Sequence, residues 1–104
     1  MATYPEAKAI VIKLLTGVTR PRIDIAANYG DGAKYNADSE LLHDLGIPPE
    51  RMFSIVRRFN SELHRIGVAR RVTSDALAEQ ETIGDVITLF CEVAEIKIPA
   101  GEPQ

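Results

Sequence analysis

Apolar residues recur at helical spacing in three stretches of the chain, and this pattern predicts an all-α protein. The first helix is expected over residues 5–16, where Thr3 and Glu6 form a capping-box pattern at its start. Gly17 and Pro21 end it. Its apolar positions are Ile10, Val11, Leu14, Leu15 and Val18.

The broadest apolar stripe predicts a continuous central helix from Pro48 to Ile66. Proline is tolerated in a first helical turn, because its missing N–H has no partner there. Gly67 ends the helix. The stripe consists of Met52, Phe53, Ile55, Val56, Phe59, Leu63 and Ile66.

Two further helices are expected near the end of the chain. Ser74 to Ala78 reads as one short capped helix, and Thr82 with Asp85 forms a second capping-box pattern that opens the final helix. The core face of this final helix is predicted to be Val86, Leu89, Phe90 and Val93.

The region before the central helix is predicted to be a long loop followed by one short helical turn. Residues 19–36 are rich in loop-forming residues, and loops of this length are usually functional or mobile. The apolar side chains Ile23, Ile25 and Tyr29 are expected to hold this loop to the core. The helical turn is expected from Ser39 to Leu45, with Gly46 at its end.

Length and composition fit one small globular domain. The chain has 104 residues, of which 45% are hydrophobic and 26% are charged. The domain is predicted to cover residues 1–96, and residues 97–104 are predicted to be a flexible tail. No apolar run is long enough for a membrane span, and the single Cys91 fits a reducing, cytoplasmic location.

Residues 38–47 read Asp-Ser-Glu-Leu-Leu-His-Asp-Leu-Gly-Ile. This run resembles the segment that leads into the phosphopantetheine-bearing helix of acyl carrier proteins. The resemblance covers about residues 5–95 and implies an acyl-carrier-like four-helix bundle with a long first loop and a short third helix. In that family a serine at the start of the second main helix carries 4'-phosphopantetheine. Pro49 stands at this position and has no hydroxyl group, so the resemblance implies the fold without the cofactor.

The charge of the central region is opposite to that of the family. Residues 51–71 contain six arginines and one glutamate, a formal charge of +5 in a chain whose net charge is −3. The central helix of acyl carrier proteins is acidic instead. The arginines predicted to form a partner-binding surface are Arg51, Arg57, Arg58, Arg65, Arg70 and Arg71.

Three interpretations of these arginines remain open. They form a solvated face without a partner, a docking surface for an acidic protein such as a carrier or synthase domain, or a nucleic-acid-binding surface. Nucleic acid is disfavoured by the pI near 5.3 and by the lack of aromatic residues among the arginines.

Two serines are alternative attachment sites for 4'-phosphopantetheine. Ser39 follows Asp38 and precedes Leu41, a loose version of the Asp-Ser-Leu motif, and Ser54 lies on the polar face of the central helix. The competing interpretation is that Ser39 caps a helix and that Ser54 is a solvated helix residue.

No arrangement of residues indicates an enzyme or a metal site. His43 and Asp44 are adjacent and therefore point in different directions on a helix. His64 is expected to be exposed, and Cys91 follows apolar residues that favour a buried, inert thiol. The histidines, the cysteine and the carboxylates lack metal-ligand spacing.

The leading prediction is therefore a non-catalytic acyl-carrier-like module that binds a protein through its basic central helix. The first alternative is an atypical acyl carrier protein of fatty-acid or polyketide biosynthesis, modified on Ser39 or Ser54. The second is a small helical regulatory or nucleic-acid-associated protein. A homodimer through Met52, Phe53 and Phe59 is also compatible with the apolar stripe.

Overall fold

The computed structural model describes residues 2–101, which form five α-helices and no β-strand. The predicted all-α class is therefore confirmed over this range. The helices are α1 (Tyr4–Thr16), α2 (Pro49–Ser54), α3 (Val56–Arg65), α4 (Ser74–Ala78) and α5 (Ile83–Ala94), with a 3₁₀-helix at Ala26–Asn28. Within the described range, no helix has the length and apolar character that a membrane crossing requires.

One apolar core joins the helices. α1 packs against α5 and α3, whereas α2 packs mainly against α4. Phe59 of α3 and Phe90 of α5 are fully buried, and their rings meet edge to face with centroids 5.2 Å apart. This aromatic contact ties α3 to the last helix through the centre of the core.

The face that α5 turns to the core differs slightly from the prediction. Val86 and Phe90 are buried as expected, but Leu89 and Val93 are only partly buried. Ile87 and Cys91 are buried in addition. The buried stripe of α5 is therefore rotated by about one residue from the predicted stripe.

Local capping explains where the helices begin. The Thr3 N–H donates to the Glu6 carboxylate at 3.3 Å, which completes the predicted capping box of α1. In α5 the Thr82 N–H donates to Asp85 Oδ2 at 3.2 Å, and the Asp85 N–H donates to Thr82 Oγ1 at 3.1 Å. Pro49 is the first residue of α2. The predicted helix starts at these three places are confirmed.

The predicted continuous central helix is wrong, because the helix breaks at Ile55. In a regular α-helix the Ile55 N–H would donate to the Arg51 carbonyl. The Ser54 hydroxyl takes this carbonyl instead, at 2.6 Å, and the Ile55 N–H donates to the Met52 carbonyl at 3.3 Å. A serine hydroxyl that bonds back to the preceding turn competes with the helix and bends it.

The predicted helical turn at Ser39–Leu45 is not a helix, although the chain does turn there and Gly46 ends the turn with φ +68°. The backbone of its first residues pairs with the segment before α5. The Leu41 N–H donates to the Glu81 carbonyl at 2.8 Å, and the Ser39 carbonyl accepts from the Ile83 N–H at 3.1 Å. The pairing holds Glu40 in a β-bridge with Thr82, so the chain is extended at the predicted helix start, and only isolated helix-type bonds follow, such as that from the Asp44 N–H to the Glu40 carbonyl at 2.9 Å.

The long loop is held to the core as predicted. Ile25 is fully buried, and Ile23 and Tyr29 pack against the core. Tyr35 is also buried, which the sequence pattern did not indicate. At the other end of the chain, Ile98 packs against the core within the predicted tail, and residues 102–104 of that tail lie outside the described range.

Candidate docking surface

α3 has one buried face and one basic face. Phe59 and Leu63 are fully buried, whereas Arg57, Arg58 and Arg65 are exposed. Residues three and four positions apart lie on the same side of a helix, so the apolar and basic positions separate cleanly. The exposed arginines are therefore available to a partner, and a groove runs along each side of them.

The first groove lies between α1 and α3 and is called the α1–α3 groove. It has a volume of about 480 Å³. Apolar and small residues of α1 form its floor, namely Ala9, Ile10 and Leu14. Its cationic residues are Lys13, Arg22, Arg58 and Arg65. Lys13 and Arg22 were missed by sequence analysis, because only the packing of α1 against α3 brings them beside the arginines.

The second groove lies between α3 and the loop that follows it, and is called the α3–loop groove. Its volume is about 710 Å³, and its lining is mainly polar and cationic. Arg57 and His64 of α3 line this groove together with Arg70 and Arg71 of the loop. Ser61 lines both grooves, which places it at the ridge between them.

Asn60 fixes the loop that carries Arg70 and Arg71. Its side-chain amide donates to the Val72 carbonyl at 3.1 Å, and its side-chain oxygen accepts from the Val72 N–H at 2.9 Å. Val72 itself is buried. This pair of hydrogen bonds holds the basic loop against α3, a positioning role that sequence analysis missed. The signal available in the sequence was that Asn60, a polar residue, lies beside the apolar stripe of the central helix.

One of the exposed arginines is already paired. Arg65 Nη2 lies 2.6 Å from Glu62 Oε1, and Arg65 Nε donates to the same oxygen at 3.1 Å. This hydrogen bond and the negative charge of Glu62 raise the pKa of Arg65. Glu62 is the only acid among the residues lining the two grooves, so the other cations have no acidic partner there.

Arg51 and Arg58 also interact with the fold itself. Arg51 Nη1 lies 3.4 Å from the carbonyl oxygens of Val18 and Gly46, so Arg51 joins the segment just after α1 to the turn before α2. Arg58 lies over Gly17 at the end of α1, where a Cβ atom would stand 3.3 Å from its Nη1. A cation at this place also suits the negative end of the α1 dipole.

The two serines proposed as attachment sites differ in exposure. Ser39 is only 7% exposed, and its hydroxyl oxygen accepts from the Asn36 N–H at 2.9 Å. It therefore stabilises the loop rather than capping a helix. Ser54 is exposed, but its hydroxyl donates to the Arg51 carbonyl. Pro49 is exposed at the start of α2.

The histidines, Asp44 and Cys91, which are the side chains considered for catalysis, each have different surroundings. The Asp44 carboxylate accepts from the Glu40 N–H at 2.6 Å, while His43 is exposed. His64 belongs to the α3–loop groove. Cys91 is buried, and burial raises the pKa of its thiol. Among residues 2–101 no group of three or more histidine, cysteine or acidic side chains is placed to hold a metal ion.

The apolar residues considered for a dimer contact are mostly committed to the core. Met52 and Phe59 are buried, whereas Phe53 is 44% exposed. Of these three side chains, Phe53 alone is available for contact with another molecule.

Comparisons of the chain with known protein families, curated proteins and solved structures found no match. The resemblance to acyl carrier proteins therefore rests on the residues of this chain, and what it implies about function is a proposal.

Proposed function

We propose that the chain is a non-catalytic, acyl-carrier-like module that docks an acidic protein partner through the basic surface formed by the two grooves. The observation that carries this proposal is the concentration of cations on both sides of α3, where Glu62 is the only acid in the lining. Complementary charge speeds the encounter of two proteins and excludes partners of the wrong sign. The proposed location is the cytoplasm.

The positions of Pro49 and Ser39 support a module without a prosthetic group. Pro49 opens α2 at the position of the family's serine and offers no hydroxyl group. Ser39 is buried and hydrogen-bonded, so a modifying enzyme cannot reach it without opening the loop. The four-helix architecture of the family remains part of the proposal, with α2 and α3 together standing for its second helix.

The proposed partner is an acidic domain, such as an acyl carrier or synthase domain. A partner adapted to the usual acidic carrier helix has a basic binding surface, and this chain would repel it. The charge inversion instead suits a domain whose own surface is acidic.

The docking proposal is tested with a purified acyl carrier protein from the same organism. Its affinity for the chain is measured by calorimetry at about 50 mM and about 500 mM salt, because salt screens exposed charges. The Arg57→Glu/Arg58→Glu variant changes one residue of each groove and is expected to weaken binding by about tenfold or more at low salt. Unchanged affinity would leave the arginines as a solvated face.

A matched variant controls for total charge. Lys34→Glu/Lys97→Glu reverses the same number of charges at exposed positions outside both grooves. It is expected to bind the partner as the unaltered chain does. If both variants weaken partner binding equally, only net charge matters, and the proposed location of the docking surface is wrong.

The exposure of Ser54 favours one second candidate, an atypical carrier modified at this residue. Mass spectrometry after incubation with coenzyme A and a broad-specificity phosphopantetheinyl transferase decides between the two. We expect no mass increase, and a phosphopantetheine adduct that disappears in Ser54→Ala would establish the carrier function instead.

A further inference from the structure

We infer that the partner binds by placing an acidic amphipathic helix in the α1–α3 groove. This inference rests on the proposed function and deepens it, because it chooses one of the two grooves and the form of the segment that occupies it. It also assigns Lys13 and Arg22, which lie outside the basic segment 51–71, to the binding surface.

The floor of the α1–α3 groove is what separates it from the α3–loop groove. Ile10 of α1 is only partly buried by the rest of the chain, and it lies beside Leu14 in this groove. The α3–loop groove has a mainly polar lining. Stable protein contacts need an apolar centre within a polar rim, because exposed ion pairs alone contribute little. The α1–α3 groove offers both parts.

The cations of the α1–α3 groove come from three segments of the chain. Lys13 lies on α1, Arg22 in the long loop, and Arg58 on α3. Among residues 2–101, no described ion pair involves any of these three, whereas Arg65 is paired with Glu62. A segment lying in the groove would therefore meet cations on both sides of the apolar floor, and carboxylates on both flanks of that segment would complement them.

The shape of the groove favours a helix as the occupant. α1 supplies the floor of the groove, and α3, which packs against α1, lines one side of it. The α3 residues that line it run from Arg58 to Arg65, a rise of about 10 Å, which is the length of about two helical turns. A helix with apolar residues at positions i, i+3, i+4 and i+7 presents one apolar stripe to such a floor. Acidic residues beside the stripe then reach the rim.

The test uses a fluorescein-labelled synthetic peptide of about 14 residues, with leucine at helical spacing and glutamate on both flanks. Its affinity for the chain is measured by fluorescence anisotropy at about 50 mM salt. A scrambled peptide of the same composition keeps the charge but removes the stripe. We expect the patterned peptide to bind at least about tenfold more tightly than the scrambled one, because only the patterned peptide covers the apolar floor.

Two double variants locate the peptide. Of the two grooves, Lys13→Glu/Arg22→Glu alters only the α1–α3 groove, and Arg70→Glu/Arg71→Glu alters only the α3–loop groove. We expect the first variant to weaken peptide binding by about tenfold and the second by less than about threefold. Circular dichroism is used to check that both variants remain helical. Lys34→Glu/Lys97→Glu again controls for net charge.

The outcomes separate this inference from the proposed function. If Arg57→Glu/Arg58→Glu abolishes partner binding but Lys13→Glu/Arg22→Glu leaves both partner and peptide affinity unchanged, docking stands and the α1–α3 groove is not its site. Equal affinity for the patterned and scrambled peptides, or no binding of either, also overturns the inference. If no variant changes partner binding, both proposals are wrong.

Discussion

α2 and α3 are separated by one residue, yet they differ in what they pack against and what they expose. α2 packs mainly against α4 and buries a single side chain, Met52, while its Phe53 is exposed. α3 packs against α1, buries Phe59 and Leu63, and presents arginines to solvent. One apolar pattern in the sequence thus serves two helices with different neighbours.

The difference shows what the break at Ile55 does. The break lets the two helices take different directions, so that α2 packs against α4 and α3 packs against α1. Ile55 itself is fully buried, so the break lies in the core rather than at the surface. The arginines from Arg57 to Arg71 consequently lie on α3 and its loop, whereas the most exposed apolar side chain of the two helices, Phe53, lies on α2.

The largest expected effect is on stability, and it compares a buried phenylalanine of α3 with a half-exposed phenylalanine of α2. Phe59→Ala removes the ring that meets Phe90 and leaves a cavity in the core, so the free energy of unfolding should fall by about 3–5 kcal/mol. Phe53→Ala is the matched control and should change it by less than about 0.5 kcal/mol. Urea denaturation measures both variants. Similar losses would contradict the assigned burial.

The second effect concerns the loop that only α3 supports. Asn60→Ala leaves the Val72 N–H and carbonyl without their partner, and should lower the free energy of unfolding by about 1–3 kcal/mol. The Val72 amide should also exchange faster with solvent, which NMR detects. Asn60→Asp keeps the acceptor for the Val72 N–H and should slow that exchange relative to Asn60→Ala. Slow exchange in both variants would mean that other contacts hold the loop.

A smaller effect tests whether an arginine of α3 also stabilises α1. Arg58→Glu places an acid near the negative end of the α1 dipole and should reduce the free energy of unfolding by about 0.3–1 kcal/mol. Arg57 does not contact the end of α1 at Gly17, so Arg57→Glu should reduce the free energy of unfolding by less than Arg58→Glu. Thermal or urea unfolding compares the two. A larger loss in Arg57→Glu would show that the contact with α1 does not matter.

The smallest effect addresses the break itself. Ser54→Ala removes the hydroxyl that occupies the Arg51 carbonyl, while alanine favours the helix by a few tenths of a kcal/mol, so stability should change by less than about 0.5 kcal/mol. The Ile55 amide should become more protected from exchange as it regains this carbonyl. Ser61→Ala, on the exposed side of α3, is the control. Unchanged protection would assign the break to core packing instead.

Local signals made much of the fold predictable. The capping boxes at Thr3 and Thr82 act within four residues, and Pro49 can begin a helix but not continue one, so the sequence marks these starts directly. The apolar stripe identified Phe59 and Leu63 as core residues, because helical spacing is also a local property of the sequence. Each of these features depends on neighbours along the chain.

The features that were missed depend on neighbours in space. The segment 39–41 is not helical because it pairs with residues 81–83, and no local pattern shows this pairing. Lys13 and Arg22 join the basic surface only because α1 lies beside α3. The break at Ile55 depends on the side-chain conformation of Ser54, which helical periodicity does not determine.

The bond between Asn60 and Val72 has a consequence for binding as well as for folding. Restricting one backbone residue from a flexible state costs roughly 1–2 kcal/mol, and a mobile basic loop would lose that freedom whenever it met a partner. Here folding has already immobilised the segment that ends in Arg70 and Arg71. In the proposed docking, their guanidinium groups would be engaged with little further ordering of the main chain, so this part of the cost of binding is already met on folding.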